Sequence, residues 1–381
     1  MDYIIKASRF LLENGERTDS YLAIKDHKFA GFVDEVQNGV EIKDWGDSIV
    51  APGLFDTHIH GIAGFDIMDG TQEAVRNISE EIAKIGVTRF LPTTLTSSRA
   101  HLEKAIIAVR QAVAEGLPGA VSEGIFLEGP YFTEKHKGAQ NPSYFTDPSL
   151  KEFEHWQELA EGSIVKIALA PEREGAEQFI QTVTNSGVLA SIAHTDASYT
   201  CCVDAVEAGA RNFVHLFNGM SGLHHREPGV AGAALTLADT YAEIICDGFH
   251  VHPEVASMAY QLKGNKLQLI TDCMRAGLMP DGKYHLGEFP VVMQDGVART
   301  ETGSLAGSTL RLMDGVQNLS QWTGKNLNEI WHLGSLSPAK SLNKDKQLGS
   351  IQSGKYADYV VLSPSMEVII TAVNGEIVYE K

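Results

Sequence analysis

Two histidines one residue apart close an apolar run over residues 49–59, in Asp56-Thr57-His58-Ile59-His60-Gly61. In an extended strand, residues two apart share a face, so both imidazoles can reach one ion. Neutral imidazole is a common ligand of zinc and ferrous iron. The plainer reading is two surface histidines at a strand end. Asp56 lies on the same face and suits an outer partner for the rings. Further chemistry-bearing side chains also end apolar runs: Glu128 in Leu127-Glu128-Gly129-Pro130, His194 in Ala193-His194-Thr195, His215 in Val214-His215-Leu216, and Asp272 in Ile270-Thr271-Asp272. Each alone has an ordinary explanation, a capping acid or a satisfied interior histidine.

The elements that carry them give the combination its force. Apolar, strand-like runs occupy residues 49–59, 87–96, 122–131, 164–171, 188–194, 212–217, 242–246 and 267–271. Helical patterns lie between them at 72–85, 99–114, 148–161, 174–186, 198–208 and 253–262, and another follows at 310–322. The sixth connection, 229–240, has a weaker helical pattern. Strands alternating with helices predict an α/β fold with a parallel sheet, and eight such units are the number that closes a (β/α)8 TIM-type barrel. An open, doubly wound sheet is the alternative, but no G-x-G-x-x-G follows the first strand. In a barrel, active sites form at the C-terminal ends of the strands. His58, His60, Glu128, His194, His215 and Asp272 stand at the ends of strands 1, 1, 3, 5, 6 and 8. Random placement would scatter them over helices and loops, so the convergence predicts a metal site.

Both chain ends read as short strands with turns, at 3–10, 20–25 and 29–33, and at 359–362, 368–373 and 377–379, the last two joined by a hairpin turn at Asn374-Gly375. We expect residues 1–50 plus 345–381 to form a small β-sandwich domain built from both termini, beside a barrel domain over 51–344. The eighth connection is long and predicts a β-hairpin insertion near 281–300, at the end where the active site forms. With 381 residues, 43% apolar and 21% charged, the composition is that of an ordinary globular protein. The 49 acidic and 31 basic residues give a net charge of −18, which argues against nucleic acid or an anionic membrane as the main partner. No signal-like arrangement opens the chain, and no apolar run approaches the roughly 20 residues of a membrane span. The four cysteines form no C-x-x-C and read as reduced core thiols of a cytoplasmic protein, with a catalytic thiol at Cys273 as the sharper alternative.

The same residues carry a resemblance. Pro52-Gly53-Leu54-Phe55-Asp56-Thr57-His58-Ile59-His60-Gly61, Leu127-Glu128-Gly129-Pro130, Ala193-His194-Thr195, His215-Leu216-Phe217-Asn218-Gly219-Met220, His225-Arg226-Glu227-Pro228-Gly229, Asp247-Gly248-Phe249-His250-Val251, Thr271-Asp272 and Leu305-Ala306-Gly307-Ser308 span the chain. A closing segment, Gly349-Ser350-Ile351-Gln352-Ser353-Gly354-Lys355-Tyr356-Ala357-Asp358, joins them. Together they resemble the amidohydrolase superfamily and, within it, the family of N-acetylglucosamine-6-phosphate deacetylases. The resemblance implies metal-dependent hydrolysis of a sugar acetamide, with Glu128, His194 and His215 as ligands of a divalent zinc or iron ion. His58 and His60 make a second ion plausible, bridged by Glu128. A carboxylated Lys166 is the alternative bridge.

The resemblance further implies that Asp272 moves the proton from water to the departing amine, which is too basic to leave unprotonated. His250 would polarise the acetyl carbonyl with the ion; a purely structural role for this ring is the alternative. Arg226 would hold the phosphate bidentately, from a loop that reaches a neighbouring subunit's site in a homodimer or larger homo-oligomer. Ala139, Gln140, Asn218, Gly219, Asp247, Gly248, Phe249, His250, Leu305, Ala306 and Gly307 would line the sugar. Many relatives carry histidine where Gln140 stands, and an amide brings no charge to a phosphate. Competing functions are the galactosamine isomer, a cyclic amidase or deaminase on the same scaffold, and a catalytically dead barrel used for assembly.

Overall fold

The apolar run 49–59 is two strands. Ile49–Pro52 pairs antiparallel with Tyr359–Leu362, whereas Leu54–Ile59 pairs parallel with Val87–Pro92. Gly53 stands at the break, where any Cβ would collide with the Thr88 side chain. This computed structural model describes residues 2–36 and 38–381.

Eight parallel strands follow one another around a ring in chain order: Leu54–Ile59, Val87–Pro92, Ile125–Glu128, Ile164–Leu169, Leu189–Ile192, Asn212–Phe213, Tyr241–Ile245 and Leu267–Ile270. The second meets the third through the Thr93–Phe126 bridge, and the eighth returns to the first through the Ile59–Cys273 bridge. A helix follows each strand: Gln72–Lys84, Arg99–Glu115, Leu150–Leu159, Ala176–Asn185, Tyr199–Ala208, Gly229–Thr236, Pro253–Lys263 and Leu312–Thr323. The first shows the local logic. Thr71 caps it by accepting from the Ala74 N–H, and Ala74, Val75, Ile78 and Ile82 bury one stripe against the ring. The sixth helix has a weak pattern for a physical reason. Every residue from Gly229 to Leu235 is buried, so no polar face alternates with an apolar one.

Strands from both chain ends share one hydrogen-bonded sheet of eight. Along its main path Glu376–Glu380, Val368–Val373, Tyr359–Leu362, Ile49–Pro52, Tyr3–Leu12, Gly15–Lys25 and Lys28–Val33 lie side by side, and Ile42–Asp44 pairs off Tyr3–Leu12. The second strand starts at Gly15, five residues before the expected Ser20, because Glu16–Asp19 are exposed polar residues that pair along Tyr3–Leu12 yet show no apolar alternation. Asn374 and Gly375, at φ 51° and 78°, make the two-residue turn between the last strands. Alternate residues of Tyr359–Leu362 face opposite ways. Tyr359 and Val361 enter the sheet's own core with Phe10, Phe29 and Ile370, while Val360 and Leu362 pack on the ring's core. The eighth connection carries three antiparallel strands, Gly282–Leu286, Phe289–Gln294 and Val297–Thr300, one more than a hairpin.

The two cores are stitched together by buried polar contacts. Arg89, on the second ring strand, donates to both oxygens of Asp358, at 2.7 and 3.0 Å, and to Glu123 at 2.8 Å. Its side chain and that of Asp358 are each 6% exposed. Removing one partner of such a pair strands the other charge away from water. Arg89→Met is expected to cost about 3–5 kcal/mol of folding free energy, checked by denaturant titration.

Candidate metal centre and active site

The six side chains meet at one end of the ring. His58 belongs to the first strand, with His60 just beyond it. Glu128 ends the third strand, and His194, His215 and Asp272 each lie two residues past the ends of the fifth, sixth and eighth. Their donor atoms form two groups, His58–His60–Asp272 and Glu128–His194–His215. The His194 and His215 Nε2 atoms are 3.2 Å apart, and Glu128 Oε1 is 3.4 and 3.3 Å from them. The His58 and His60 Nε2 atoms are 3.3 Å apart, with Asp272 Oδ1 at 3.4 and 3.2 Å. Glu128 touches both groups, its Oε1 lying 3.5 Å from His58 and its Oε2 3.3 Å from His60.

The other ring nitrogens decide what this cluster is for. His194 Nδ1 donates to the His136 carbonyl at 2.9 Å, His215 Nδ1 to the Asn218 carbonyl at 2.9 Å, and His60 Nδ1 to the Thr93 carbonyl at 3.2 Å. His58 Nδ1 donates to Glu243 Oε2 at 3.3 Å. Carbonyl and carboxylate oxygens only accept, so each Nδ1 carries the hydrogen, and in its neutral form each ring turns a lone pair inward through Nε2. Four inward lone pairs and two carboxylates in a buried cluster repel one another. A divalent cation relieves that repulsion, and the histidine–carboxylate donor set suits zinc or iron.

The backbone is bent to bring this about. His194, His215 and Asp272 have φ of 44°, 34° and 50°, in the left-handed region. Such residues cost about 1–3 kcal/mol each and persist where their surroundings hold them. The run from His215 to Gly219 shows how: the chain doubles back so that the Asn218 carbonyl meets its own His215, and Gly219, at φ 59°, passes where a Cβ would come 2.8 Å from His194 Nδ1. Asp56 braces the facing side, its Oδ2 accepting from Thr271 Oγ1 at 2.6 Å and its Oδ1 from the His58 N–H at 3.2 Å. Burial pushes the Asp56 carboxyl up to about 7. It thus supports the backbone on both strands of the His58–His60–Asp272 group and leaves the imidazole nitrogens alone.

Cys273 is buried and its thiol is pushed up by desolvation, so it is no nucleophile. Lys166 Nζ pairs with Glu243 and donates to the Thr57 carbonyl at 3.3 Å, beneath the cluster. That contact occupies the amine which a carboxylated-lysine bridge would need.

The cluster floors a cavity of about 230 Å³. Of the residues expected around a sugar, Ala139, Gln140, Asn218, Gly219, His250, Leu305 and Gly307 line it. Asp247, Gly248, Phe249 and Ala306 do not. Asp247 instead accepts from His250 Nδ1 at 2.6 Å and from the Phe249 and His250 N–H groups, and so sets the His250 ring. Phe249 is 58% exposed, and Ala306 is buried behind the wall. Gln140, besides lining the cavity, makes a contact that its spacing did not announce. Its Oε1 accepts from the Thr96 N–H at 3.0 Å, which turns its Nε2 onto Glu128 Oε2 at 2.7 Å. It steadies the glutamate. Arg226 is exposed beside His225 and is absent from the lining, which includes no Lys or Arg among the described residues. Sequence reasoning missed Leu95, Gly138, Ser304 and Leu286, the last delivered by the inserted sheet. It also missed Glu243, whose one signal is an acid inside an otherwise apolar strand.

Residues 49–378 match the Amidohydrolase family. The chain belongs to this family. It is 43% identical over 329 residues to an N-acetylglucosamine-6-phosphate deacetylase of Vibrio furnissii, covering 86% of this chain and 82% of that one. It is 38% identical over 377 residues to an N-acetylgalactosamine-6-phosphate deacetylase of Escherichia coli O157:H7, covering 99% of both. Among solved structures, a mutant N-acetyl-D-glucosamine-6-phosphate deacetylase from Mycobacterium smegmatis, in complex with N-acetyl-D-glucosamine-6-phosphate, superposes with a TM-score of 0.93 at 29% identity over 99% of each chain. In this amidohydrolase the inward lone pairs make the folded state a ligand for metal. Stripping divalent ions with a chelator is expected to lower the melting temperature, and zinc at about 1,000 times its Kd to restore about 4 kcal/mol, checked by thermal unfolding with and without the ion.

Proposed function

We propose that this chain hydrolyses the acetamide of N-acetyl-D-glucosamine 6-phosphate, releasing acetate and D-glucosamine 6-phosphate in amino-sugar catabolism. One observation carries the reading: Asp272 stands among metal-donor atoms and faces the cavity that they floor, as amide hydrolysis requires. The glucosamine name of the 43% identical relative and of the ligand-bound structure favours that isomer over galactosamine. Glu128, His194 and His215 would hold one divalent ion, zinc or iron, and His58 and His60, beside Asp272, would hold a second. When bound, such an ion activates water and polarises the acetyl oxygen.

Asp272 accepts the proton of the attacking water and passes it to the amide nitrogen, so that the amine leaves neutral. His250, its ring set by Asp247, faces the acetyl oxygen, and in its imidazolium form the Nε2–H donates to the developing charge. Ala139, Gln140, Asn218, Gly219, Leu305 and Gly307 enclose the sugar. A phosphate needs a cation, and Arg226 supplies it from the neighbouring subunit of a homodimer, which fits its exposed position and the missing base in its own cavity. We read the ring as a (β/α)8 TIM-type barrel over residues 51–344, and the terminal sheet as a β-sandwich domain over 1–50 and 345–381. All four cysteines are free, which suits a cytoplasmic setting.

The test is acetate release from the sugar phosphate, with the galactosamine isomer and unphosphorylated N-acetylglucosamine as controls. Asp272→Asn is expected to lower kcat about 10²–10⁴-fold with metal content largely retained. A variant that turns over normally removes the acid–base assignment. Arg226→Ala is expected to raise KM about 10–100-fold for the phosphorylated sugar alone. Mixing the two impaired variants is expected to restore part of the activity at low substrate if the arginine acts across subunits.

A further inference from the structure

Beneath the metal centre lies an ionic network that the reaction itself does not use. Glu243 stands on the seventh ring strand, fully buried and pointing into the ring. Its Oε2 accepts from His58 Nδ1 at 3.3 Å, and its Oε1 accepts from Asn212 Nδ2 at 2.8 Å and pairs with Lys166. Lys166 also lies 3.7 Å from the centroid of the Phe126 ring, and Phe126 in turn meets His58 edge to face at 5.0 Å. Strands 1, 3, 4, 6 and 7 therefore converge on the back of a single imidazole.

The arrangement is a poor way to fill a core. Ring interiors are usually packed with branched aliphatic side chains. A buried ion pair rarely outdoes a hydrophobic substitute in stability. What Glu243 does provide is direction, since a carboxylate behind a ligating histidine fixes the tautomer and the ring plane. Of the four inward-facing histidines, His58 is the one anchored by a side-chain carboxylate, while the others use backbone carbonyls. Lys166 balances the carboxylate, so the anchor adds no net charge below the centre.

We propose that Glu243 is the positioning residue that makes His58 a metal ligand. It holds the hydrogen on Nδ1 and aims Nε2 at the His58–His60–Asp272 group, with Lys166 keeping it charged and in place. Metal affinity of that group then depends on Glu243, and affinity of the Glu128–His194–His215 group does not. This rests on the metal-centre reading above.

The experiment is calorimetric titration of zinc into the metal-stripped full chain, with cobalt absorption spectra as a second readout of ligand geometry. Wild type is expected to bind two ions per subunit. Glu243→Gln is expected to weaken one step about 10–100-fold, the same step that His58→Gln abolishes, and to leave the other unchanged. Because a lone Lys166 can unfold the single variant, the pair Glu243→Gln with Lys166→Met is measured beside it and is expected to show the same selective loss. Two unchanged steps in either folded variant overturn the proposal. So do equal losses at both steps, which mark general loosening, and so does a wild type that binds one ion. A wild type that binds two ions but releases no acetate overturns the deacetylase reading and leaves this one standing.

Discussion

Four histidines commit the hydrogen on Nδ1 to an acceptor and turn bare nitrogen toward a shared centre, and the rest of the molecule is arranged around that choice. Facing lone pairs at 3.2 and 3.3 Å cannot hydrogen-bond to one another. With two carboxylates among them, the cluster is self-repelling until a cation joins it. Three of its members sit in left-handed backbone, an unfavourable conformation that the doubled-back loop after His215 and the closing hydrogen bonds between the first and eighth strands keep in place.

The supports come from different parts of the chain and work on different atoms. Asp56 ties the first strand at His58 to the eighth at Thr271, Gln140 holds one oxygen of Glu128, and Glu243 holds one nitrogen of His58. Of the three, Gln140 also lines the cavity. A loosely held donor set would adapt to many ions and present water in many directions; a braced one presents it in few.

The cavity shows what one subunit does not supply. Its floor is rich in metal donors, its walls are neutral, and the inserted sheet lends Leu286 as an apolar side. In a protein of net charge −18, a phosphorylated ligand meets an unfavourable field unless a cation is brought close. The exposed Arg226 loop of a neighbouring subunit is the source proposed above, and it would place part of the substrate's recognition outside the cavity's own chain.

Periodicity and residue spacing alone determined the eight strand–helix units, the β-rich ends, and the six side chains that meet at one end of the ring, because each is announced locally: an apolar run that stops, then a histidine or an acid. The strand break at Gly53 and the fully buried sixth helix escaped, since a close approach to Thr88 and burial on every side leave no periodic mark. Only the tertiary structure decided the support roles. Asp247 read as a group for a sugar until its partner His250 was in place, the hold of Gln140 on Glu128 had no local sign, and Glu243 read as nothing at all. A ligand can be recognised by its own chemistry, whereas a brace is defined by what it touches, and its partner is 12 residues away for Gln140 and, on another strand, 185 for Glu243.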